Sequence, residues 1–218
     1  CKKLDIPTAN YVTFDNHKDS MEYLNSCTFP LVIKADGLAA GKGVIICHCL
    51  NDAIEAINKC FNDKTFGSAG SRVVIEEFLE GEEVSLFALV DRTGFVLPLI
   101  TAQDHKKILE GEKGLNTGGM GAYAPVPSIT KTMMNDLSSQ FILPIIQYLK
   151  KENINFKGMF YAGLIMTKNG PQLLEINVRF GDPETQAIIP LLESDLLHLL
   201  HSSASGQLRN IKDIKLND

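Results

Sequence analysis

Residues 33–44 read IKADGLAAGKGV, and this stretch decides how the first third of the chain is interpreted. An apolar run carries Lys34 near its end, a loop of small residues follows, and Lys42 lies inside that loop. Glycine allows backbone N–H groups to converge on an anion, and two ammonium groups add positive charge for phosphates. The pattern favours a phosphate-binding loop, and a flexible hairpin loop without a ligand is the alternative.

This loop differs from two common nucleotide-binding patterns. The sequence lacks the Gly-x4-Gly-Lys-Ser/Thr string of the nucleotide-kinase P-loop. A β-type run, Val44–Cys49, follows Gly43, whereas a dinucleotide-binding fingerprint would open a helix at that point. The stretch therefore predicts a strand, a loop and a second strand.

Outward from this loop, the apolar pattern predicts an α+β chain of two lobes, residues 1–78 and 79–218. The elements predicted for the first lobe give it a βαβ character, and they are strands at Tyr11–Phe14, Leu31–Ala35 and Arg72–Leu79, and helices at His17–Leu24 and from a cap at Asn51. In the second lobe, turn signals at residues 92–94 and 168–170 predict hairpins and a mostly antiparallel sheet. Gln103–Pro127 is rich in glycine and has little periodicity, so we expect a long functional loop there.

The junction between the lobes is acidic. Residues 73–84 read VVIEEFLEGEEV and include five glutamates. Alone, this stretch is typical of a solvated linker. It also suits the wall of a nucleotide site, because extended backbone offers adenine one donor and one acceptor, and carboxylates accept hydrogen bonds from ribose hydroxyls.

Residues 173–184 read LLEINVRFGDPE and contain a polar set on an apolar strand. In a strand, Glu175, Asn177 and Arg179 point to the same face. Burying these groups without partners is costly, but together they suit Mg²⁺, held by two hard oxygens, and an anion, held by the guanidinium fork. A polar exposed face is the alternative.

The last informative stretch combines charge with free backbone. Residues 104–107 read DHKK, and residues 116–123 read NTGGMGAY. Such a loop offers several N–H groups to a carboxylate or phosphate, and a disordered surface loop is the alternative.

Composition excludes several classes. The 218 residues carry a net charge of −5, which argues against a nucleic-acid partner. No apolar run reaches the roughly 18 residues of a membrane span, so we expect no membrane partner. Five cysteines in a chain of this length predict reduced thiols and a cytoplasmic location. Because the chain starts at Cys1 and ends in a polar tail, we expect it to be a piece of a longer polypeptide.

Taken in order, these stretches resemble the ATP-grasp superfamily and, more narrowly, the phosphoribosylamine–glycine ligase family. The resembling strings are IKADGLAAGKGV, EEFLEGEEVS, QDHKK with NTGGMGAYAPVP, and LLEINVRFGDPETQ, which span nearly the whole chain. The resemblance implies an ATP-grasp fold of two α+β lobes. It also implies an ATP-dependent ligase that joins glycine to 5-phosphoribosylamine through a glycyl phosphate.

The resemblance assigns nucleotide-binding roles to motif residues. It places the ATP phosphates at Lys34, Gly37, Gly41, Lys42 and Gly43. It places adenine at Glu76, Glu77 and Leu79, and the ribose hydroxyls at Glu83.

The resemblance also assigns metal-binding and acceptor-site roles. Mg²⁺, with Mn²⁺ as an alternative, would be held by Glu175 and Asn177. Arg179 would bind the glycine carboxylate or the transferring phosphoryl group, and Asp104 with the backbone of residues 118–121 would shape the acceptor pocket. The predicted catalytic residues are therefore Arg179, Lys42 and Asp104.

The family has further domains on both sides of this region, and fusion of the parent chain to other purine-synthesis enzymes stays open. Two other functions also stay open. One is another ATP-grasp ligase or carboxylase of purine synthesis, and the other is a non-catalytic nucleotide-binding module.

Overall fold

The computed structural model describes residues 1–37, 39, 43–110 and 113–217, with the backbone alone at 107, 113–116 and 118. The chain divides into two compact units. The smaller unit is Ala9–Glu80, and the larger unit is Gly81–Asp218 together with Cys1–Thr8.

The first eight residues differ from the sequence expectation, which grouped them with the smaller lobe. Thr8 forms a parallel bridge with Leu173, and the Leu173 N–H donates to Pro7 O at 2.8 Å. Ile6 is buried in a core of the larger unit. These long-range contacts leave no trace in the local sequence pattern.

The smaller unit contains one four-stranded sheet in the order β1-β4-β2-β3. Its strands are β1 (Tyr11–Phe14), β2 (Leu31–Ala35), β3 (Val44–Cys47) and β4 (Val73–Glu77). All neighbouring pairs are antiparallel. For β2 and β3 this follows from their connection, because eight residues are too few for a parallel crossover. The expected βαβ unit is formed by β1, α1 and β2. Strands β1 and β2 run parallel to each other but do not pair, because β4 lies between them.

Two helices cover one face of this sheet. Helix α1 (His17–Leu24) begins at Asn16, whose side chain accepts a hydrogen bond from the Asp19 N–H. Helix α2 (Leu50–Phe61) begins after Cys49 and not at Asn51 as expected. The Asp52 carboxylate accepts a hydrogen bond from the His48 N–H, and the cap is Cys49, two residues before the predicted cap.

The larger unit contains a five-stranded antiparallel sheet in the order β7-β6-β5-β8-β9. Its strands are β5 (Glu82–Val90), β6 (Val96–Leu109), β7 (Lys113–Tyr123), β8 (Gly158–Thr167) and β9 (Gly170–Asn177). Strand β5 packs on both faces, with Leu86 and Ala88 in one core and Phe87 and Leu89 in the other. A central strand buried on both sides explains its continuous apolar run.

The glycine-rich stretch expected as a loop is a long hairpin in the structure. Gln103 pairs with Tyr123 and His105 with Gly121, with two register shifts further along. Strand pairing uses backbone groups that every residue carries, so this pairing needs no alternation of side chains. The expectation of a structureless loop over Gln103–Pro127 was therefore wrong.

The helices of the larger unit cover both faces of its sheet. They are α3 (Lys131–Leu137), a π-helical turn (Ser138–Ile142), α4 (Leu143–Lys151), α5 (Glu184–Ile188) and α6 (Leu196–Ser205). Thr130 caps α3 by accepting a hydrogen bond from the Met133 N–H. The π-helical turn lies between α3 and α4 and interrupts the helical run from Lys131 to Lys151.

Candidate nucleotide and metal site

In the smaller unit, Lys34 and Glu76 form an ion pair. The Lys34 Nζ lies 2.6 Å from Glu76 Oε2, and the two side chains are 25% and 18% exposed. Val32 is opposite Glu76 in the β2–β4 register, so Lys34 is a diagonal neighbour of Glu76 on one face of the sheet. Ile33 and Ile75 alternate to the other face and lie in the core. The sequence predicted both residues for a nucleotide site but not their pairing.

The end of β4 and the residues just after it include Glu77 and Leu79, which the resemblance assigns to adenine. The Glu77 N–H donates to Asn10 O at 3.0 Å, and the Glu77 carboxylate accepts from the backbone and side-chain nitrogens of Asn10. Within the described part of the chain, the Leu79 backbone makes no hydrogen bond to another backbone group. Of Glu77 and Leu79, Leu79 is therefore the residue whose backbone N–H is available to a ligand.

The glycine loop is closely packed where the structure describes it. A Cβ on Gly37 would lie 2.7 Å from Ala69 Cα, and one on Gly43 would lie 2.7 Å from Ala39 Cβ. Contacts this short exclude any side chain, so glycine is required at both positions for steric reasons. Gly41 and Lys42, also predicted here, lie outside the described residues.

In the larger unit, Glu175 and Asn177 come together as the strand periodicity predicts. The Asn177 Nδ2 donates to Glu175 Oε1 at 3.0 Å. Gly163 lies opposite Glu175 on β8, and a Cβ there would be 2.9 Å from Glu175 Cγ. The missing side chain at Gly163 thus makes room for the Glu175 carboxylate.

Arg179 does not extend this strand face. Strand β9 ends at Asn177, so the alternation that would place Arg179 beside Glu175 stops two residues earlier. The Arg179 Nη1 donates instead to Phe180 O at 2.8 Å. The guanidinium is exposed and folds back on the chain.

Lys106 lies among carboxylates. Its Nζ is 3.2 Å from Glu83 Oε2. Burial works to lower the pKa of Lys106, but the negative charges of Glu83, Glu175 and Asp104 outweigh it and hold that pKa above its ordinary value. Glu83 is therefore already paired, and no local sequence pattern predicted Lys106 as its partner.

Asp104 is a partly buried carboxyl group close to Lys106. Among the described residues, its buried Oδ1 has no hydrogen-bond partner. Burial raises the pKa of Asp104 to about 6, with Glu184 and Glu83 acting in the same direction and Lys106 against it. A Cβ on Gly119 would lie 3.2 Å from this oxygen and 2.5 Å from Pro183 Cδ. Since Gly119 has a φ of +131°, only glycine suits this close approach.

Glu184 is a buried carboxylate that is not among the residues predicted for the site. Its Oε1 accepts hydrogen bonds from Tyr161 OH at 2.7 Å and from Ser85 Oγ at 3.1 Å. Burial raises the pKa of Tyr161 so far that its hydroxyl stays protonated and donates. The partners lie 23 and 99 residues away in sequence, so no local motif reveals them.

The described residues restrict what these groups can hold. Among them, no group of three or more His, Cys, Asp or Glu is arranged to bind a metal ion. A metal at Glu175 and Asn177 would thus have two protein oxygens and would need further ligands from phosphates or water. In the same part of the chain, no helix is both long and apolar enough to cross a membrane.

Comparison with known proteins identifies the family. The family described as "Phosphoribosylglycinamide synthetase, ATP-grasp (A) domain" matches residues 1–185. The phosphoribosylamine–glycine ligase of Caldanaerobacter subterraneus is 46% identical over 210 residues, covering 96% of this chain and 50% of that protein. That of Neisseria meningitidis serogroup A is 49% identical, covering 96% and 49%. The chain therefore spans about half the length of these relatives.

A solved structure agrees with the sequence comparison. The crystal structure of phosphoribosylamine–glycine ligase from Thermotoga maritima has a TM-score of 0.84 and 34% identity, covering 94% of this chain and 52% of the other. The ATP-grasp fold predicted from the sequence is thus confirmed, with an antiparallel sheet in each unit. By its family match and its fold, this chain belongs to the phosphoribosylglycinamide synthetase family and carries that family's ATP-grasp domain.

Proposed function

We propose that the polypeptide containing this chain is an ATP-dependent ligase that joins glycine to 5-phosphoribosylamine. The products are glycinamide ribonucleotide, ADP and phosphate, in purine synthesis. The observation that carries the proposal is the pairing of Glu175 with Asn177 on β9 of an ATP-grasp domain, which offers two oxygens to a metal ion. The charge of Glu175 also acts on Lys106, the lysine that pairs with Glu83.

The chemistry has two steps. A glycine carboxylate oxygen attacks the γ-phosphorus of ATP, and the bond from that phosphorus to the ADP oxygen breaks. The amine nitrogen then attacks the glycyl carbon, phosphate leaves, and the nitrogen loses one proton. Both steps bring anions together, so the protein must mainly neutralise charge and align the reacting groups.

The smaller unit supplies phosphate contacts in this proposal. Lys34 lies at the edge of the glycine loop and already holds one carboxylate, Glu76. Glu76 would accept a hydrogen bond from the adenine amino group, and the Leu79 N–H would donate to the adenine ring. Lys34 would then contact the ATP phosphates. Lys42 would contact the ATP phosphates, as its place in the motif implies. Glu77 would offer its backbone carbonyl to adenine.

The larger unit supplies oxygens suited to Mg²⁺. The Asn177 amide uses its Nδ2 on Glu175, which leaves Oδ1 for a cation, and the Glu175 carboxylate keeps its second oxygen. Carboxylate and amide oxygens are the donors that Mg²⁺ prefers, so the residues present fit this ion. When bound, Mg²⁺ would neutralise the phosphate charge that develops during transfer.

Glu83, Asp104 and Arg179 have the remaining proposed roles in the larger unit. Glu83 pairs with Lys106 through Oε2 and would use its other oxygen for the ribose hydroxyls. Asp104, unpaired at Oδ1 and close to the Gly119 backbone, would bind the acceptor amine. The exposed Arg179 guanidinium would bind the glycine carboxylate.

Isotope transfer tests the reaction. The complete polypeptide is incubated with MgATP, phosphoribosylamine and glycine labelled with ¹⁸O in its carboxylate. We expect one labelled oxygen in the released phosphate for each glycinamide ribonucleotide formed. Unlabelled phosphate, or ADP release that depends on bicarbonate instead of glycine, would refute the proposal.

The expected cellular location is the cytoplasm. All five cysteines of the chain are free thiols, which is typical of a reducing compartment. Fractionation of cells that express the full-length polypeptide with a carboxyl-terminal tag tests this. Recovery in a membrane or organelle fraction would contradict it.

A further inference from the structure

The larger unit has an open cavity of about 510 Å³ that none of the proposed substrate contacts uses. It lies between the turn that joins β5 to β6 and the helical run from α3 to α4. Its lining includes Phe95, Asn135, Ser138, Gln147, Lys150 and Arg209. Its volume is within the roughly 300–1,000 Å³ that is usual for small-molecule sites.

The lining is cationic. Lys150 and Arg209 both line the cavity, and among the lining residues that the structure describes there is no acidic side chain. The Arg209 guanidinium carbon lies 5.3 Å from the centre of the Phe95 ring, and the Lys150 Nζ donates to Thr93 O at 2.9 Å. These contacts position both cations but leave their charge uncompensated by a salt bridge within the described part of the chain.

The nearby carboxylate of Asp91 makes its hydrogen bonds to neutral donors and not to these two cations. Its Oδ1 accepts from the Thr93 N–H and hydroxyl and from the Phe95 N–H, and its Oδ2 accepts from the Leu208 N–H. Asp91 is fully buried and makes the turn rigid. The wall that carries Phe95 is therefore preorganised.

The opposite wall contains the π-helical turn. Such turns are rare, occur mostly as single turns inside α-helices, and are frequent at functional sites. This one presents Ser138, which is 5% exposed and lines the cavity. Ser139 Oγ donates to Asn135 O, whereas no side-chain hydrogen bond in the described part of the chain uses the Ser138 hydroxyl.

The cavity is separated from the proposed reaction site along β5. Glu83 lies near the start of that strand, and Val90 lies at its end, immediately before the turn that lines the cavity. Seven residues at about 3.3 Å each place these ends roughly 23 Å apart. A ligand in the cavity would thus not compete with ATP for contacts.

From these observations, we propose that the cavity binds a small organic anion, a phosphate or carboxylate attached to a flat apolar body. Lys150 and Arg209 bind the anionic group, since paired cations and hydroxyls are the usual partners of phosphate and carboxylate. The Ser138 hydroxyl and the Gln147 amide add hydrogen bonds. Phe95 and the aliphatic wall contact the apolar body.

Probe ligands test this proposal in the full-length polypeptide. Phenyl phosphate and benzoate are titrated separately by ligand-observed NMR in the presence of saturating MgADP, with benzyl alcohol as the uncharged comparison. We expect at least one anion to bind with a dissociation constant of about 1–5 mM, as its size allows, and the alcohol to bind at least about tenfold more weakly. Binding by phenyl phosphate alone would identify a phosphate site, and binding by benzoate alone a carboxylate site.

Matched variants locate the binding. Gln147→Glu adds a negative charge to the cavity lining and should weaken anion binding at least about fivefold. Gln140→Glu adds the same charge to an exposed, non-lining position of the same helical run and should leave binding unchanged. Arg209→Gln should weaken binding about tenfold, and all three variants should keep the thermal unfolding midpoint of the parent.

Several results would overturn the proposal. They are the absence of binding by both anions at 20-fold above the expected constants in saturating MgADP, equal binding of benzyl alcohol, or equal effects of Gln147→Glu and Gln140→Glu. The ¹⁸O experiment on the ligase reaction is independent of each of these results.

Discussion

The two units place a lysine beside acidic side chains in different ways. In the smaller unit, Lys34 meets the single carboxylate of Glu76 at 2.6 Å, and both side chains are largely buried. In the larger unit, Lys106 meets Glu83 at 3.2 Å and is also acted on by Glu175 and Asp104. The first arrangement is a neutral pair, whereas the second has more acids than cations among the side chains that the structure describes.

This difference indicates what each unit needs to bind. A neutral, partly buried pair is complete without a ligand, and its lysine contributes to phosphate binding by sharing its charge. Among the described side chains, the acids around Lys106 outnumber the cations, and a divalent cation would neutralise that excess. Burial is the main cause of the raised pKa of Asp104, and the charges of Glu184 and Glu83 act in the same direction.

The largest expected effect follows from removing charge at the proposed metal ligand. Glu175→Gln should lower glycine-dependent ADP release at least about 100-fold at 1 mM free Mg²⁺, because Mg²⁺ is usually held by only one or two carboxylates. Raising free Mg²⁺ should recover part of the activity. Steady-state rates across a Mg²⁺ titration measure this, with the exposed Glu193→Gln as the control. An unchanged Mg²⁺ dependence would place the metal elsewhere.

The next effect tests the neutral pair. Lys34→Met should weaken ATP binding about 10- to 100-fold, since a hydrogen bond from a charged donor contributes roughly 1.5–3 kcal/mol. It should also destabilise the smaller unit by leaving Glu76 unpaired. Calorimetric titration with MgATP measures the first effect, and Lys18→Met on the exposed face of α1 is the control.

A double variant separates the two roles of Lys34. Adding Glu76→Gln to Lys34→Met removes the unpaired charge and should restore stability. ATP binding should stay weak, because the phosphate contact is still missing. Recovery of both properties would mean that Lys34 acts only through folding.

A smaller effect concerns Glu184, a carboxylate compensated by hydroxyls and not by a lysine. Tyr161→Phe should lower the free energy of unfolding by about 2 kcal/mol, because Glu184 Oε1 then keeps only the Ser85 hydroxyl as a donor. Urea unfolding measures this. The control is Tyr11→Phe, at a half-exposed tyrosine of β1. Equal stabilities of the two variants would show that the buried hydroxyl contributes nothing.

The smallest effect is a pH dependence. The pKa of Asp104 is raised to about 6 in the folded chain, so the folded state holds this proton more tightly than the unfolded state. Its contribution to stability is therefore complete below about pH 4 and is lost as the pH rises to 6. After allowing for solvent screening, we expect a loss of about 1 kcal/mol.

Asp104→Asn tests that pH dependence. This variant should lack the stability loss between pH 4 and 6, measured by urea unfolding at several pH values. Asp63→Asn, at an exposed position of the smaller unit, should keep it. A steeper pH dependence in Asp104→Asn than in the parent would contradict the assigned sign.

Local sequence patterns predicted those elements whose side chains decide their structure. The bounds of β1, α1 and β2 are the same in the sequence analysis and in the structure, because periodicity and caps mark them. The hairpin of β6 and β7 was missed, since glycine-rich strands pair through their backbones and show no alternation. The predicted cap at Asn51 was wrong because a side chain later in the helix, Asp52, fixes the start.

Motifs predicted the candidate site residues but not their electrostatic partners. Glu175 and Asn177 meet as predicted because strand periodicity places them on one face. The pairing of Lys106 with Glu83 and of Glu184 with Tyr161 joins residues 23 apart in both cases, on different strands or on a strand and a helix. Such partners depend on tertiary packing, which no spacing rule within one segment describes.

The attachment of the first eight residues to the larger unit has a consequence for how the chain folds during synthesis. The Thr8 hydroxyl donates to Leu173 O, 165 residues later, so these first residues leave the ribosome long before their partner exists. The smaller unit, complete by Glu80, has all its strand partners within 72 residues and can fold first. We expect pulse-labelled hydrogen exchange to protect the Ile75 amide before the Leu173 amide, and the reverse order would refute this sequence of events.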